Sequence, residues 1–356
     1  MHLKYASPTA FPEELKMKTT GMILLLAGLA LSLFLFVDRR PVEDVTSGPI
    51  VFNVVTIQPR GKHIPKNLMM FADAIAREFK GKIRIDFLGG PEVIGPFQQP
   101  EAVRSGQIDM ALTSPSFYSN LSPLSHVNMF SNQTFDVLQD NGFYDKHEKL
   151  HDELGLVYLG EITFDVPFYI FTNFAVASLA DFAGKKIRVF PAVTPFVRAL
   201  GAAPVLMGQH EIYSAMERGV VDGFIMNAAG FVDTQSWHEV TQYMVKPGFY
   251  RGGLILIANP KSWNRLSAEL QQQFKDYKSK VWNFDPAGGL WFIEYNTQQT
   301  KLIEESGVEV IELSSENAHR YLEIAYESAW AGIIEQEPAK GAELRKLLVD
   351  DKRLAR

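Results

Sequence analysis

Ala102-Val103-Arg104-Ser105-Gly106-Gln107-Ile108-Asp109 recurs further along the chain as Ala215-Met216-Glu217-Arg218-Gly219-Val220-Val221-Asp222, with Ala, Gly and Asp at matching places. Each copy reads as the end of a helix, a glycine stop and the start of a strand. Glycine suits the left-handed position that closes a helix, after which the chain returns through a sheet. One such turn is common in α/β proteins. Two with the same three residues predict two similarly built lobes, one on each side of a cleft.

Outward from these turns, short β-rich runs alternate with helical periods from Ile50 onward. Ile50 to Ile57 and Ile83 to Phe87 read as strands. Between them, Leu68, Phe71, Ala72, Ile75 and Phe79 give the segment from Pro65 a helical apolar face. Further strands are expected at 110–113, 156–162, 169–172, 186–189, 223–226, 254–258 and 308–313. The stretch from Leu270 to Ile303 reads as a long helix kinked at Pro286 and Gly288-Gly289. It is followed by a helix over 316–336 and a charged, peripheral tail from Ala339. The predicted fold class is α/β, with two lobes and a long bracing C-terminal helix. The expected organisation is 1–45 signal peptide or membrane anchor, 46–172 first lobe, 173–258 second lobe, and 259–356 a helical segment packing back on both. With no low-complexity linker, the lobes are expected to be joined by strands crossing between them.

The chain has 356 residues and 46% hydrophobic content, enough for a sizeable core. Lys plus Arg number 35 against 41 Asp plus Glu, a net charge of -6 with no long basic run, which argues against nucleic acid as a partner. There is no cysteine, so disulfides, thiol nucleophiles and an N-terminal lipid-modified Cys are excluded. Met22 to Val37 is uncharged and almost wholly apolar, follows Lys16 and Lys18, and ends at Asp38-Arg39-Arg40. It reads as an export signal or an uncleaved anchor, with Met17 a plausible start.

Several stretches, in order, resemble the periplasmic binding proteins of TRAP transporters, the DctP family. They are Pro100 to Ala111, Leu179-Ala180-Asp181-Phe182-Ala183-Gly184-Lys185-Lys186-Ile187-Arg188-Val189, Ala199 to Val205, and Glu211 to Gly223. The likeness runs from about Phe52 to about Leu313. It implies a two-lobed periplasmic-binding-protein-like fold whose lobes close over a small organic acid and deliver it to membrane subunits driven by an ion gradient, with no cofactor and no enzymatic activity. It further implies that Arg188 grips the carboxylate, since a guanidinium matches a carboxylate with two parallel hydrogen bonds. Read without the motif, Arg188 is a solvated strand-end charge.

The sequence also departs from the family pattern. Tyr169 stands where many members carry a second arginine before Thr172-Asn173, and Asn227 is offset by one from the usual asparagine. Tyr243 to Gly253 resembles the branch that includes α-keto acid binders, with Arg251 where an acidic residue helps hold a metal, so Arg251 is a candidate replacement for that metal, with an exposed arginine at a strand start as the alternative. Phe117, Tyr118, Tyr169, Trp237 and Phe249-Tyr250 are candidate aromatic walls, with core packing as the alternative. Gln58, in the loop after the first strand, is a further candidate ligand contact, because ligands in α/β sheets sit outside the carboxyl ends of strands.

Two readings from other classes compete. His147-Glu148-Lys149-Leu150-His151 fits the H-E-x-x-H zinc pattern of a hydrolase, with Glu161 as a candidate third ligand. Its flanks, Asp145-Lys146 and Asp152-Glu153, instead point to a solvated helix face. A ligand sensor that signals to a receptor is the other. No phosphate loop, nucleophile elbow or dinucleotide fingerprint is present in the sequence.

Overall fold

The computed structural model describes residues 48–284 and 289–350; the apolar run Met22 to Val37 and the expected kink at Pro286 and Gly288 lie outside them. Residues from Pro49 onward form one compact unit. Its frame is a nine-stranded sheet: β1 (Ile50–Thr56), β2 (Ile83–Gly89), β3 (Met110–Thr113), β4 (Val157–Thr172), β5 (Lys186–Val189), β6 (Ala203–Leu206), β7 (Gly223–Met226), β8 (Tyr243–Ala258) and β9 (Glu309–Glu312). Along the sheet the order is β2-β1-β3-β8-β4-β7-β5-β6, with β9 beside β8.

The repeated turn has a structural counterpart. β1 runs parallel to both β2 and β3, while β5 runs parallel to both β6 and β7. Gly106 and Gly219 take positive φ of 82° and 66°, the left-handed region that glycine enters without steric cost. The two aspartates then do the same work. Asp109 accepts from the backbone N–H of Asn53 at 2.8 Å, and Asp222 accepts from that of Lys186 at 2.8 Å. Their carbonyls accept in turn from the N–H groups of Asn259 and Asn173, which follow β8 and β4. The echo therefore marks two similarly wired halves.

β4 and β8 are each 16 residues long and pair antiparallel along their whole length. One end of β8 pairs with β3, and the far end of β4 pairs with β7. The two halves are joined through these strands, with repeated register shifts between Tyr158 and Ile170. Such irregularities bend strands and raise their twist. Sequence periodicity suggests separate strands at 156–162 and 169–172 and shows only the last part of β8. Both are continuous, and the register shifts at the crossing break the two-residue alternation by which a strand is read from sequence.

Helices cover the sheet. His63–Glu78 buries Ile64, Leu68, Phe71, Ala72 and Ile75 against the first half. Helix Ala268–Phe284 sets Phe274 among Phe71, Phe79 and Trp263 in that core. The next helix, Gly289–Glu305, places Ile303 in the core of the second half, while its Gln299 accepts from the N–H of Val232 at 3.0 Å. The pair braces both halves, as expected. The expectation of a peripheral tail is overturned. Helix Pro338–Leu348 buries Leu344 and Leu348, and Leu348 accepts from the Ser131 hydroxyl at 2.9 Å. Its charged residues are its outer face, which masked the inward leucines. Among the described residues no helix is long and apolar enough to cross a membrane.

Candidate functional site

The parallel strands of both halves end at one place. Ile57 follows β1, Ser114 follows β3, Gln209 follows β6 and Asn227 follows β7, and all four line a cavity of about 540 Å³. His63 and Ile64, at the start of the helix after β1, and Phe117 and Met129 complete the wall of the first half. Arg188, Phe190 and Met226 complete that of the second. Phe168 on β4, Gly253 and Leu254 on β8, and Phe292 on the bracing helix close the remainder. This is the general position of ligands in α/β sheets, outside the carboxyl ends of the strands.

Arg188 lies in β5 between Val205 and Phe224 of the neighbouring strands. It is 1% exposed, so the reading as a solvated strand-end charge is overturned. Its Nε and Nη2 donate to Met207 O at 3.1 and 2.9 Å, and Nη1 donates to Ile225 O at 3.2 Å and faces Met226 Sδ at 3.3 Å. All of these acceptors are neutral. Desolvation lowers its pKa to about 9, with the Glu211 carboxylate opposing the shift, so it remains charged at neutral pH. Carbonyls hold the guanidinium plane in place but do not balance its charge. A buried cation with no hydrogen-bonded counter-ion is costly even with Glu211 acting on it through space, and an anion entering the cavity relieves that cost.

His63 is held by a fixed chain of hydrogen bonds. Ile64 N–H donates to Gln58 Oε1 at 3.1 Å, which turns the Gln58 amide nitrogen toward His63 Nε2 at 3.4 Å. Nε2 is then the acceptor, and Nδ1 donates to Thr234 Oγ1 at 3.2 Å, whose hydroxyl donates to Gly230 O at 3.2 Å. Burial, assisted by Lys62, lowers the His63 pKa to about 3. The imidazole is neutral.

Of the residues expected from sequence, Arg188, Asn227 and Phe117 line the cavity. Gln58 lies behind His63 and positions it. The others face elsewhere. Tyr169 packs with Phe171 and Phe224 because alternation along β4 gives the cavity side to its neighbour Phe168. Tyr118 is buried with its hydroxyl 2.7 Å from His151 Nε2, and Trp237 packs on Phe224 and Phe231. Phe249 and Tyr250 belong to the core around Tyr321, and Arg251 donates to Gln133 O. Of the residues missed by sequence reasoning, Ser114 and Gln209 carried one available signal, a place in the loop beyond a parallel strand, and His63 opens the helix that follows β1.

The zinc reading fails on geometry, and the solvated face holds for Asp145, Lys146, Asp152 and Glu153 but not for the histidines, which turn inward. His147 and His151 are 1% and 0% exposed, packed with Phe143 and Tyr158. His151 Nδ1 donates to His147 O at 2.7 Å, so its Nε2 lone pair is the one that accepts from Tyr118. His147 Nε2 donates to Ser125 O at 3.0 Å. One of the two lone pairs a chelate needs is thus already used. Glu148 pairs with Lys275, and Glu161 accepts from Asn128 at 2.7 Å. Among the described residues no three His, Cys, Asp or Glu side chains are arranged to hold a metal.

A cavity walled by two matching halves, joined by long strands that bend where they cross, defines a protein that traps a solute between lobes. Residues 54–336 match the family DctP, described as bacterial extracellular solute-binding protein, family 7. The chain belongs to that family. It is 24% identical over 283 residues to the C4-dicarboxylate-binding periplasmic protein DctP of Rhodobacter capsulatus, covering 75% of this chain and 80% of that one. It is 22% identical over 225 residues to a monocarboxylate 2-oxoacid-binding periplasmic protein of Nostoc, an alignment spanning 59% of this chain and 62% of the relative. Among solved structures, a TRAP periplasmic solute-binding protein from Desulfovibrio salexigens with bound orotic acid superposes with a TM-score of 0.74 at 19% identity, covering 86% of this chain and 99% of that one. A Bordetella pertussis extracytoplasmic solute receptor binding pyroglutamic acid does so with a TM-score of 0.74 at 21% identity, covering 84% and 99%. At such identities the structural likeness is one of fold.

Proposed function

We propose that this solute-binding protein captures a small organic acid between its lobes, with the carboxylate on Arg188, and hands it to the membrane subunits of a TRAP-type transporter. One observation carries the reading: a buried, charged guanidinium on the cavity wall whose hydrogen-bond partners are all neutral. The family supports it, as do relatives whose ligands are organic acids. On this reading the protein binds without converting its ligand, lobe closure being stabilised by contacts that need ligand and both lobes together. We assign the first lobe to 46–172 and the second to 173–258, except that the end of β4 at Tyr169–Thr172, paired with β7, goes with the second and the end of β8 at Ile255–Ala258, paired with β3, with the first; 259–356 packs on both, and export is assigned to the apolar run Met22 to Val37.

The test is native mass spectrometry of the purified protein with co-purified ligand retained, followed by thermal melts with organic acids. A ligand that binds only the folded form raises the melting temperature. The reading expects an acid bound at one per chain and a melting temperature that rises with its concentration. If no organic acid co-purifies or shifts the melt, the reading fails.

A further inference from the structure

The cavity wall narrows the class of acid, on the reading that Arg188 holds its carboxylate. Among the described wall residues Arg188 is the single charged side chain, and His63 on the same wall is kept neutral by burial and the neighbouring Lys62 ammonium. Ser114 Oγ is matched by Ser116 Oγ at 2.9 Å. Two wall residues are not matched. Gln209 Nε2 and Asn227 Oδ1 are buried with no hydrogen-bond partner. Backbone geometry makes room for the second of these. A Cβ on Gly252 would lie 3.3 Å from Asn227 Nδ2 and 2.9 Å from Val166 O, so the glycine lets β8 pass close to the asparagine. The rest of the wall is largely carbon, with Phe117, Phe168, Phe190 and Phe292 contributed by four separate segments.

We propose that the ligand is a monocarboxylate with an apolar body carrying a hydroxyl or amide N–H for Asn227 Oδ1 and an oxygen for Gln209 Nε2, and that dicarboxylates and sugar acids are rejected. A second carboxylate would be buried against aromatic carbon with no second cation among the described wall residues, and a buried unpaired charge is the most heavily penalised group in such a site. A polyol body would strip water from several hydroxyls that the phenyl rings cannot satisfy. A bare hydrocarbon acid errs the other way, leaving the Asn227 oxygen and the Gln209 amide unpaired, and a site built to hydrogen-bond a group discriminates against the analogue that lacks it. Selection therefore runs from both sides, against too much polarity and too little.

The test is calorimetric titration with matched acids: 2-hydroxy-4-methylpentanoate and 2-hydroxy-3-phenylpropanoate, their deoxy counterparts, malate, and gluconate. At least one hydroxy monocarboxylate is expected to bind roughly tenfold or more tighter than its deoxy counterpart, with malate and gluconate weaker by about a hundredfold. Asn227→Leu, or Asn227→Ala if the leucine variant melts early without ligand, should remove most of the hydroxyl preference while the deoxy acid still binds. Malate or gluconate binding as tightly as the hydroxy monocarboxylates, in an Arg188-dependent manner, overturns this inference and leaves the carboxylate reading standing. A hydroxyl preference that survives both Asn227 variants overturns it as well. Failure of every acid to bind overturns both.

Discussion

His63 Nδ1 donates to Thr234 Oγ1 at 3.2 Å, a hydrogen bond that ties the helix after β1 to the loop after β7 beside the ligand cavity. Lys62 adds a second tie, to the carbonyl of the same threonine. The groups around the imidazole are Gln58, the Lys62 ammonium, and the rings of Phe292 and Tyr295, the latter donating to Asp233 at 2.6 Å. If the lobes separate, this bond breaks and the imidazole meets water.

Closure should then depend on pH. With the halves together the His63 pKa is about 3, against 6.5 for a solvated imidazole. Because the closed form is the one with the depressed value, its advantage is complete above pH 6.5 and is lost as pH falls from there toward 3. Affinity for an acid that stays ionised should fall by up to about thirtyfold between pH 7 and pH 5. Titration calorimetry across that range checks it. His63→Gln should flatten the profile, and an unchanged slope in that variant would assign the pH dependence to another group.

Gly230 sits at the same tie. Its φ is 76°, and a Cβ there would lie 2.3 Å from His63 Nδ1 and 2.5 Å from Thr234 Oγ1. Gly230→Ala should therefore cost affinity by disrupting closure, by about tenfold or more, the loss of one or two hydrogen bonds with added strain. Titration of the variant with the co-purified acid reads this directly.

The histidine pair of the helix Phe143–Glu153 is structural. Burial holds His147 well below its ordinary pKa and lowers His151 to about 4, and the same cause lowers nearby His126 to about 4. Each of these groups is neutral in the fold and charges more readily once unfolded. Stability present above pH 6.5 is lost as pH falls through the range between 6.5 and 4, at up to about 1.4 kcal/mol per unit for each group. His147→Ala should lower the melting temperature, with a cost of roughly 2–4 kcal/mol for the cavity left among Phe143, Tyr158 and His151. Ligand affinity should be unaffected, since the pair lies outside the cavity. Stoichiometric zinc with a hydrolytic activity lost in the variant would revive the enzyme reading.

Sequence showed the fold more clearly than the site, for a physical reason. The Ala-Gly-Asp echo was readable because a helix stop and a strand start are local events, and Asp109 and Asp222 do matching work on the adjacent strand. Arg188 was readable through its surrounding motif. The walls were not, because facing the cavity depends on strand parity and on register shifts that only pairing reveals. Tyr169 and Phe168 differ by one residue and lie on opposite sides of β4. Phe292 reaches the cavity from a helix more than a hundred residues beyond Arg188, and nothing local announces it.

Removal of the helix Pro338–Leu348 should destabilise the fold. Leu344 and Leu348 are buried against the core shared by Phe130 and Trp330, and burying a leucine contributes about 1.5–3 kcal/mol. A chain ending at Gln336 is expected to melt several degrees lower than the full chain by circular dichroism. An unchanged melting temperature would make the helix a true appendage.

The account rests most directly on Arg188, and calorimetric titration of Arg188→Ala and Arg188→Lys with the co-purified acid tests it. A charged hydrogen bond contributes about 1.5–3 kcal/mol net, so Arg188→Ala should bind roughly tenfold to a few hundredfold more weakly. Arg188→Lys should recover only part of that loss, because an ammonium restores the charge without the planar two-pronged geometry. Wild-type affinity in Arg188→Ala, with binding lost instead in Arg251→Ala, would contradict this assignment and move the anion site to the part of β8 between Pro247 and Gly253.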